Sequence, residues 1–313
     1  MIACVGESLI DRIGDRELAG GCPFNTALAA ARLGAPVSFF GKFSCDRYGQ
    51  VFLEKMIDSG MLFDPDMCNA TEPTMTATAV RDEQGNASYT FTCDGSAAAC
   101  VSKEELDVSL AVTTDIDIVF FGSISLVIKP ICDAVVPAIR GIRTRPVLFF
   151  DPNVRPALIG DPEAFRAMVF SLSGESHIVK VSVEDLAFLF PGLDAEAACN
   201  LMLDKCMRNL IVTRGEGGST WYTHTMRVDC PACAVPSGSF SDTIGCGDVF
   251  NGAVLAYLEN NGLVQCPDGL EEADIRSALE YASRAAALNC LKEGCEPPFG
   301  YELSGNGFPG VGL

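Results

Sequence analysis

Asp242-Thr243-Ile244-Gly245-Cys246-Gly247-Asp248 runs directly into Val249-Phe250-Asn251-Gly252-Ala253-Val254-Leu255-Ala256-Tyr257-Leu258. Two glycines flank a small residue, and an apolar stretch with helical spacing follows at once. Glycine lets a backbone approach a ligand closely, and the first N–H groups of a helix have no internal partners. The segment therefore reads as a turn that opens a helix, with an anion hole at its mouth suited to charge developing on a transferring phosphoryl group. Asp248 falls in the first helical turn, where a carboxylate can take the proton from an attacking hydroxyl. A plainer reading also fits: Asp248 complements the helix dipole and the glycines serve a tight turn.

Outward from this segment, short apolar runs alternate with helical ones. Ile2–Val5, Val37–Gly41, Ile116–Phe121, Val147–Phe150, Ile178–Val181 and Leu210–Thr213 read as buried strands. Asn25–Leu33, Gly49–Ser59, Lys129–Ile142, Pro162–Leu172, Val183–Phe190, Ala195–Cys206 and Ala273–Cys290 read as helices. Strand and helix in repetition argue for an α/β fold with a mainly parallel sheet covered by helices. Thr74–Val80 and Ala87–Cys93 break that pattern. They are rich in Thr, Val, Tyr and Phe around turn residues at 82–86, and read as a β-hairpin projecting from the main body. The Gly-rich stretch 304–313 reads as a loose tail.

The chain has 313 residues, 48% of them hydrophobic, enough for a large core. Its formal net charge of −19 makes nucleic acid and anionic lipid poor partners. An anionic ligand must then be held locally, by backbone amides, a helix N-terminus, Mg²⁺ or a few cations. No run is long and apolar enough to span a bilayer, and Met1–Gly6 lacks the features of a signal peptide, so the expected location is cytoplasmic. Fifteen cysteines, an odd number spread from Cys4 to Cys295, read as small buried hydrophobes rather than a disulfide scaffold. Cys230-Pro231-Ala232-Cys233 lacks the second Cys/His pair or βαβ start that zinc or redox chemistry would want.

Other segments carry candidate chemistry. In Ala19-Gly20-Gly21-Cys22-Pro23-Phe24-Asn25 two glycines admit a ligand, and Asn25 either offers it a donor and an acceptor or caps the helix. Asp11 lies just past the first strand, where a turn carboxylate is also natural. Phe150-Asp151-Pro152-Asn153-Val154-Arg155-Pro156 follows a strand, so its polar residues lie at the carboxyl end, where open α/β sheets keep their ligand crevice. Arg155 either pairs with substrate or phosphate oxygens or caps the turn through Asp151. Lys180-Val181-Ser182-Val183-Glu184-Asp185, whose Ser182 and acidic residues equally suit a helix N-cap and first turn, and Thr213-Arg214-Gly215-Glu216-Gly217-Gly218 also end strands. The latter is neither a Walker A loop nor a dinucleotide turn, and Gly6-Glu7-Ser8-Leu9-Ile10-Asp11 lacks the glycines of a nicotinamide-dependent oxidoreductase.

Taken in order over roughly residues 1–303, these segments resemble the ribokinase-like (PfkB) carbohydrate kinases. The run 242–248 is similar to that family's D-T-x-G-A-G-D signature, with Cys246 where Ala is usual, and Ala19–Lys42 is similar to its N-terminal signature. The D-P-N-x-R-P run resembles fructokinases and 2-keto-3-deoxygluconate kinases more than ribokinases or adenosine kinases. The resemblance implies a doubly wound sheet, a small β lid from about 11–20 and 74–93, and a homodimer formed through the lids. It implies phosphoryl transfer from Mg·ATP to a primary hydroxyl of a sugar. Fructose is the leading expectation, 2-keto-3-deoxygluconate the alternative, and a non-catalytic sugar-binding protein a third reading. Asp248 would be the base and Gly245, Cys246 and Gly247 the amide hole; Asp11, Gly20, Gly21, Asn25 and Arg155 would hold the sugar. Lys180, Ser182, Thr213, Gly215 and Gly218 would serve ATP, with Asn289 by the adenine, Asp185 reaching Mg²⁺ through water, and K⁺ near Asp242. Beside an anion hole Cys246 would be either a thiol with a lowered pKa or an inert filler.

Overall fold

The first strand explains the layering: Ile2 and Cys4 point into one hydrophobic core and Ala3 and Val5 into another. Side chains alternate along a strand, so a strand buried on both faces must be apolar throughout. The structure, a computed structural model, describes residues 1–81, 87–206, 208–235, 239–265 and 267–303. In chain order its strands are β1 (Ile2–Val5), β2 (Leu9–Ile13), β3 (Arg16–Gly20), β4 (Val37–Phe40), β5 (Leu62–Phe63), β6 (Thr76–Arg81), β7 (Ala87–Thr92), β8 (Ile118–Gly122), β9 (Val147–Asp151), β10 (Ile178–Ser182), β11 (Asn209–Thr213), β12 (Ser219–Tyr222) and β13 (Arg227–Cys230). Its helices are α1 (Cys22–Arg32), α2 (Arg47–Asp58), α3 (Lys103–Val112), α4 (Ile131–Arg140), α5 (Pro162–Glu175), α6 (Val183–Leu189), α7 (Ala195–Leu203), α8 (Cys246–Asn260), α9 (Glu272–Asn289) and α10 (Gly300–Leu303).

Nine strands form the main sheet in the order β13-β12-β11-β10-β9-β8-β1-β4-β5. All neighbours from β11 to β5 run parallel, and β12 and β13 add an antiparallel edge. Helices α1, α2, α8 and α9 cover one face and α3 to α7 the other. The sheet is therefore doubly wound, and its carboxyl edge carries the strand-end loops. A second sheet, β3-β2-β6-β7, pairs β2 parallel to β6 and stands apart from the first.

Several elements differ from the sequence expectation for identifiable reasons. Helix α1 begins at Cys22 rather than Asn25, because Gly21 at φ +103° turns the chain and Pro23 suits a first helical turn. Asn25 is thus inside the helix and caps nothing. Helix α3 and the β12–β13 hairpin were not anticipated. The former does carry a readable signal, a capping box between Ser102 and Glu105. Strands β6 and β7 occupy the expected hairpin, whose turn at 82–86 lies outside the described residues, as does the expected tail at 304–313.

Candidate active site

At the carboxyl edge, α8 opens on Gly245, which takes φ +71° and packs against Cys295 so closely that a Cβ there would lie 2.5 Å from its Cβ and Sγ. Only glycine meets both demands. The Cys246 N–H turns back to Thr243 O at 3.2 Å, so it is not available to a ligand. The N–H groups of Gly245, Gly247 and Asp248 have no acceptor among the described residues. The expected three-amide hole is therefore corrected: Cys246 closes the turn, and the free donors lie on either side of it.

Asp248 does not cap the helix. Its side chain, 8% exposed, accepts from Asn25 Nδ2 at 2.9 Å through Oδ2 and from Asn153 Nδ2 at 3.3 Å through Oδ1. Burial raises its pKa above the ordinary carboxylate value, while the Asn25 amide, the Cys22 thiol and the charge of Arg155 pull it back. Asp11, on β2, faces the same space. Burial, with the Asp248 charge beside it, pushes its pKa up to about 6 against the pull of Arg155. Gly20 permits this approach, since a Cβ there would meet Asp11 Oδ2 at 2.3 Å; a Cβ on Gly21 would lie 2.7 Å from the Glu7 carbonyl oxygen. Asp11, Asn25, Arg155 and Asp248 are thus brought together in one cluster at the carboxyl edge.

Arg155 does not pair with Asp151. Its Nη1 donates instead to the Asn153 carbonyl, the Asn153 side-chain oxygen and the Val154 carbonyl. Asp151 is fully buried and accepts from Lys180 Nζ at 3.0 Å and Asn251 Nδ2 at 2.7 Å. Burial alone would lower the Lys180 ammonium, but the charges of Asp151 and Asp185 hold it above the ordinary lysine value. Lys180 was expected to serve ATP; it is buried beneath the α8 mouth, 3.4 Å from where a Gly247 Cβ would lie.

Ser182 and Asp185 form a capping box for α6, with Asp185 Oδ2 accepting from Ser182 N at 2.7 Å and Oδ1 from Val154 N at 2.8 Å. Both carboxylate oxygens accept from backbone amides and the residue is buried, so Asp185 holds the start of α6, and its remaining lone pairs leave a water-mediated route to Mg²⁺. Among the described residues no group of three or more His, Cys, Asp or Glu side chains could hold a metal ion. Thr213 pairs in register with Ser182 at the carboxyl edge, and the loop after it turns at Gly215 and Gly218. Gly218 is required by the chain itself, since a Cβ there would lie 2.2 Å from the Cys230 carbonyl. Asn289 was expected by the adenine. It is fully buried, donates to the carbonyls of Ile244 and Gly294, and accepts from Glu296 N, so it fastens the loop before α8 from within.

Of the two readings of Cys246, the inert filler fits the structure and the activated thiol does not. Burial pushes that thiol up to about 12, and its Sγ lies 3.2 Å from Cys290 Sγ and 3.6 Å from the Ala286 carbonyl. Sequence reasoning passed over Asn153, Asp151 and Asn251 as site residues, although Asp151 and Asn153 lie in a run already singled out. Asn is among the few residues that tolerate a left-handed backbone, and Asn153 has φ +38°.

Comparison with known proteins identifies the family. The model of the pfkB family of carbohydrate kinases matches residues 1–299. A fructokinase from Rhizobium leguminosarum bv. trifolii is 31% identical over 273 residues, covering 84% of this chain and 81% of its own. The crystal structure of a Vibrio cholerae O395 fructokinase with fructose, ADP and calcium ion superposes with a TM-score of 0.77 at 25% identity, over 94% of each chain. A Xylella fastidiosa fructokinase with bound ATP gives a TM-score of 0.80 at 25% identity, over 96% of this chain and 97% of that one. An aspartate at a glycine-lined helix mouth, a doubly wound sheet and a match over nearly the whole length lead to one assignment: the chain belongs to the pfkB family of carbohydrate kinases.

Proposed function

We propose that the protein transfers the terminal phosphoryl group of ATP to a primary hydroxyl of fructose, with Asp248 as general base. The observation that carries this reading is the Asp248 carboxylate, clasped by two side-chain amides in the first turn of α8 beside unpartnered N–H groups. With both oxygens so held, each retains a lone pair, and one can accept the sugar hydroxyl's proton. Asn25 Oδ1 is buried without a hydrogen-bond partner and is available to a second hydroxyl. Asp11 accepts from sugar hydroxyls, Arg155 answers negative charge above the crevice, and the amides of Gly245, Gly247 and Asp248 steady the transferring group. The four-stranded sheet that carries Asp11 closes over the sugar and keeps water out.

Charge balance favours a neutral sugar. Asp11, Asp151, Asp248 and Glu7 gather here, and of the cations Lys180 is spent on Asp151, leaving Arg155. A sugar acid would bring a further carboxylate into that field. The fructokinase names of the relatives agree with this choice. Magnesium would supply charge neutralisation on the phosphates, whose oxygens are its natural ligands, with Asp185 reaching it through water. A potassium ion at Asp242 would compete with the Arg16 guanidinium, 3.8 Å from Oδ2; exchanging K⁺ for Na⁺ at constant ionic strength reads this out. The expected homodimer is read by light scattering. No described helix is long and apolar enough to cross a membrane, and the expected compartment is the cytoplasm.

The test is a coupled ADP assay with fructose, other ketoses and 2-keto-3-deoxygluconate. Fructose should give the highest kcat/KM. Preference for the sugar acid would overturn the substrate, and ADP release that no sugar stimulates would overturn the reaction.

A further inference from the structure

We propose that Asn153 is a positioning residue that orients the Asp248 carboxylate, through an amide held in place by Arg155 and Asp151. The inference rests on the reading of Asp248 as the base. Asn153 has φ +38°, a left-handed conformation that most side chains avoid. Its own N–H donates to Asp151 Oδ1 at 3.0 Å, closing the turn after β9. Asp151 in turn is anchored by Lys180 and Asn251 below it. The turn is therefore fixed to a buried ion pair rather than left to solvent.

The side chain is fixed as firmly. Arg155 Nη1 donates to the Asn153 side-chain oxygen and to its carbonyl. A guanidinium can only donate, so that end of the amide must be Oδ1, and Nδ2 is left facing Asp248 Oδ1 at 3.3 Å. Asn25 approaches the other oxygen from α1. One amide comes from a helix and the other from a strand-end turn, and together they set the plane of the carboxylate. A carboxylate free to rotate would present its lone pair to the hydroxyl only part of the time. Asparagine is the side chain that meets every demand at this position. Glycine takes the backbone but has no donor, and aspartate takes the backbone but turns an acceptor toward Asp248.

The charged and titratable groups around Asp248 are Asp11 from β2, Asp151 from β9, Arg155 from the following loop, and the thiols of Cys22 and Cys295. Against that background, a donor to the charged form lowers the carboxylate's pKa, so removing it moves the acid limb of kcat to higher pH.

The experiment compares N153G, N153D and D248N with the wild-type enzyme, using fructose and ATP over pH 5 to 8. N153G, which keeps the left-handed turn, should lower kcat about tenfold with a smaller change in KM. Its acid limb should move up by about half a pH unit. N153D, nearly isosteric and still able to accept from Arg155, should move the limb further in the same direction and serves if N153G folds poorly. A purely structural Asn153 would leave the limb in place. An unmoved limb in both variants, alongside an inactive D248N, overturns the positioning role while leaving the base intact. Full activity in D248N overturns both.

Discussion

Asn25 Nδ2 donates to Asp248 Oδ2 at 2.9 Å, joining two residues 223 positions apart in sequence. The bond is possible because α1 and α8 pack at close range. A Cβ on Gly252 would lie 2.5 Å from the Thr26 carbonyl and 2.6 Å from the Ala29 methyl. Gly252→Ala should therefore push the helices apart, lower stability by about 1–3 kcal/mol, and reduce kcat by about tenfold to a hundredfold through misplacement of the base. Thermal melts and steady-state kinetics check both effects. Normal kcat in a destabilised variant would separate helix packing from catalysis.

Replacing Asp248 by Asn keeps the shape of the site and removes the base. The Asn25 amide would then face either the oxygen or the amide of the new side chain, so folding should survive. Turnover should fall by about 10² to 10⁴ with KM values little changed. Coupled ADP release measures it, and near-normal turnover would remove the proposed mechanism.

Acid should silence the enzyme in a defined window. Burial raises both carboxylates, Asp11 to about 6; Asp248 must be ionised to take the hydroxyl's proton, and Asp11 is the stronger acceptor for the sugar when ionised. Activity should therefore fall as the pH drops through about 6. Asp11→Asn removes a negative neighbour from Asp248, so the remaining limb should move to lower pH. Stability runs the other way. In the folded state Asp11 binds its proton more tightly than in the unfolded chain, so its contribution is present at low pH and is lost as the pH rises through about 6. Asp11→Asn should accordingly melt higher than wild type at pH 7, with the difference shrinking at pH 5.

Much of this was legible from local pattern. The strand and helix periodicities gave a mainly parallel sheet covered by helices, because burial on both faces forces continuous apolar strands such as Ile118–Gly122, and the family resemblance added the double winding. Asp11, Asn25, Arg155 and Asp248 were legible through the family resemblance of the short motifs that carry them; by position alone Asp11 reads as a turn carboxylate and Asn25 as a cap. Which partner each side chain takes was not. Arg155 could pair with Asp151 on sequence grounds, yet Lys180, from a different strand, claims that carboxylate. Asn289 looked ligand-facing, but its neighbours at Ile244, Gly294 and Glu296 are set by how the loop before α8 folds back. Such choices depend on contacts between distant segments. Motif spacing does not encode them.

Lys180→Met tests that reassignment. The Lys180–Asp151 pair is almost wholly buried, and removing the ammonium strands a carboxylate held otherwise by Asn251 and the Asn153 amide. Breaking a buried pair from one side should cost about 3–5 kcal/mol, read from urea denaturation. If instead stability is unchanged and only KM for ATP rises, the ammonium belongs to the nucleotide after all.

Thiol chemistry at the α8 mouth gives the last prediction. Cys246 is the one side chain in the glycine turn, and its thiol is pushed up to about 12 by burial, with the neighbouring Cys290 reinforcing the shift. Alkylating reagents attack the thiolate, so at pH 8 very little of Cys246 is reactive. Cys45, by contrast, is exposed. Iodoacetamide should label Cys45 at least about a hundredfold faster than Cys246, as followed by peptide mass spectrometry. The contrast depends on the turn staying closed, because the Asn289 amide and the Ala286 carbonyl hold the sulfur inward. Comparable labelling rates at the two positions would mean that the loop opens in solution, and the free amides beside Asp248 would then not be preorganised for phosphoryl transfer.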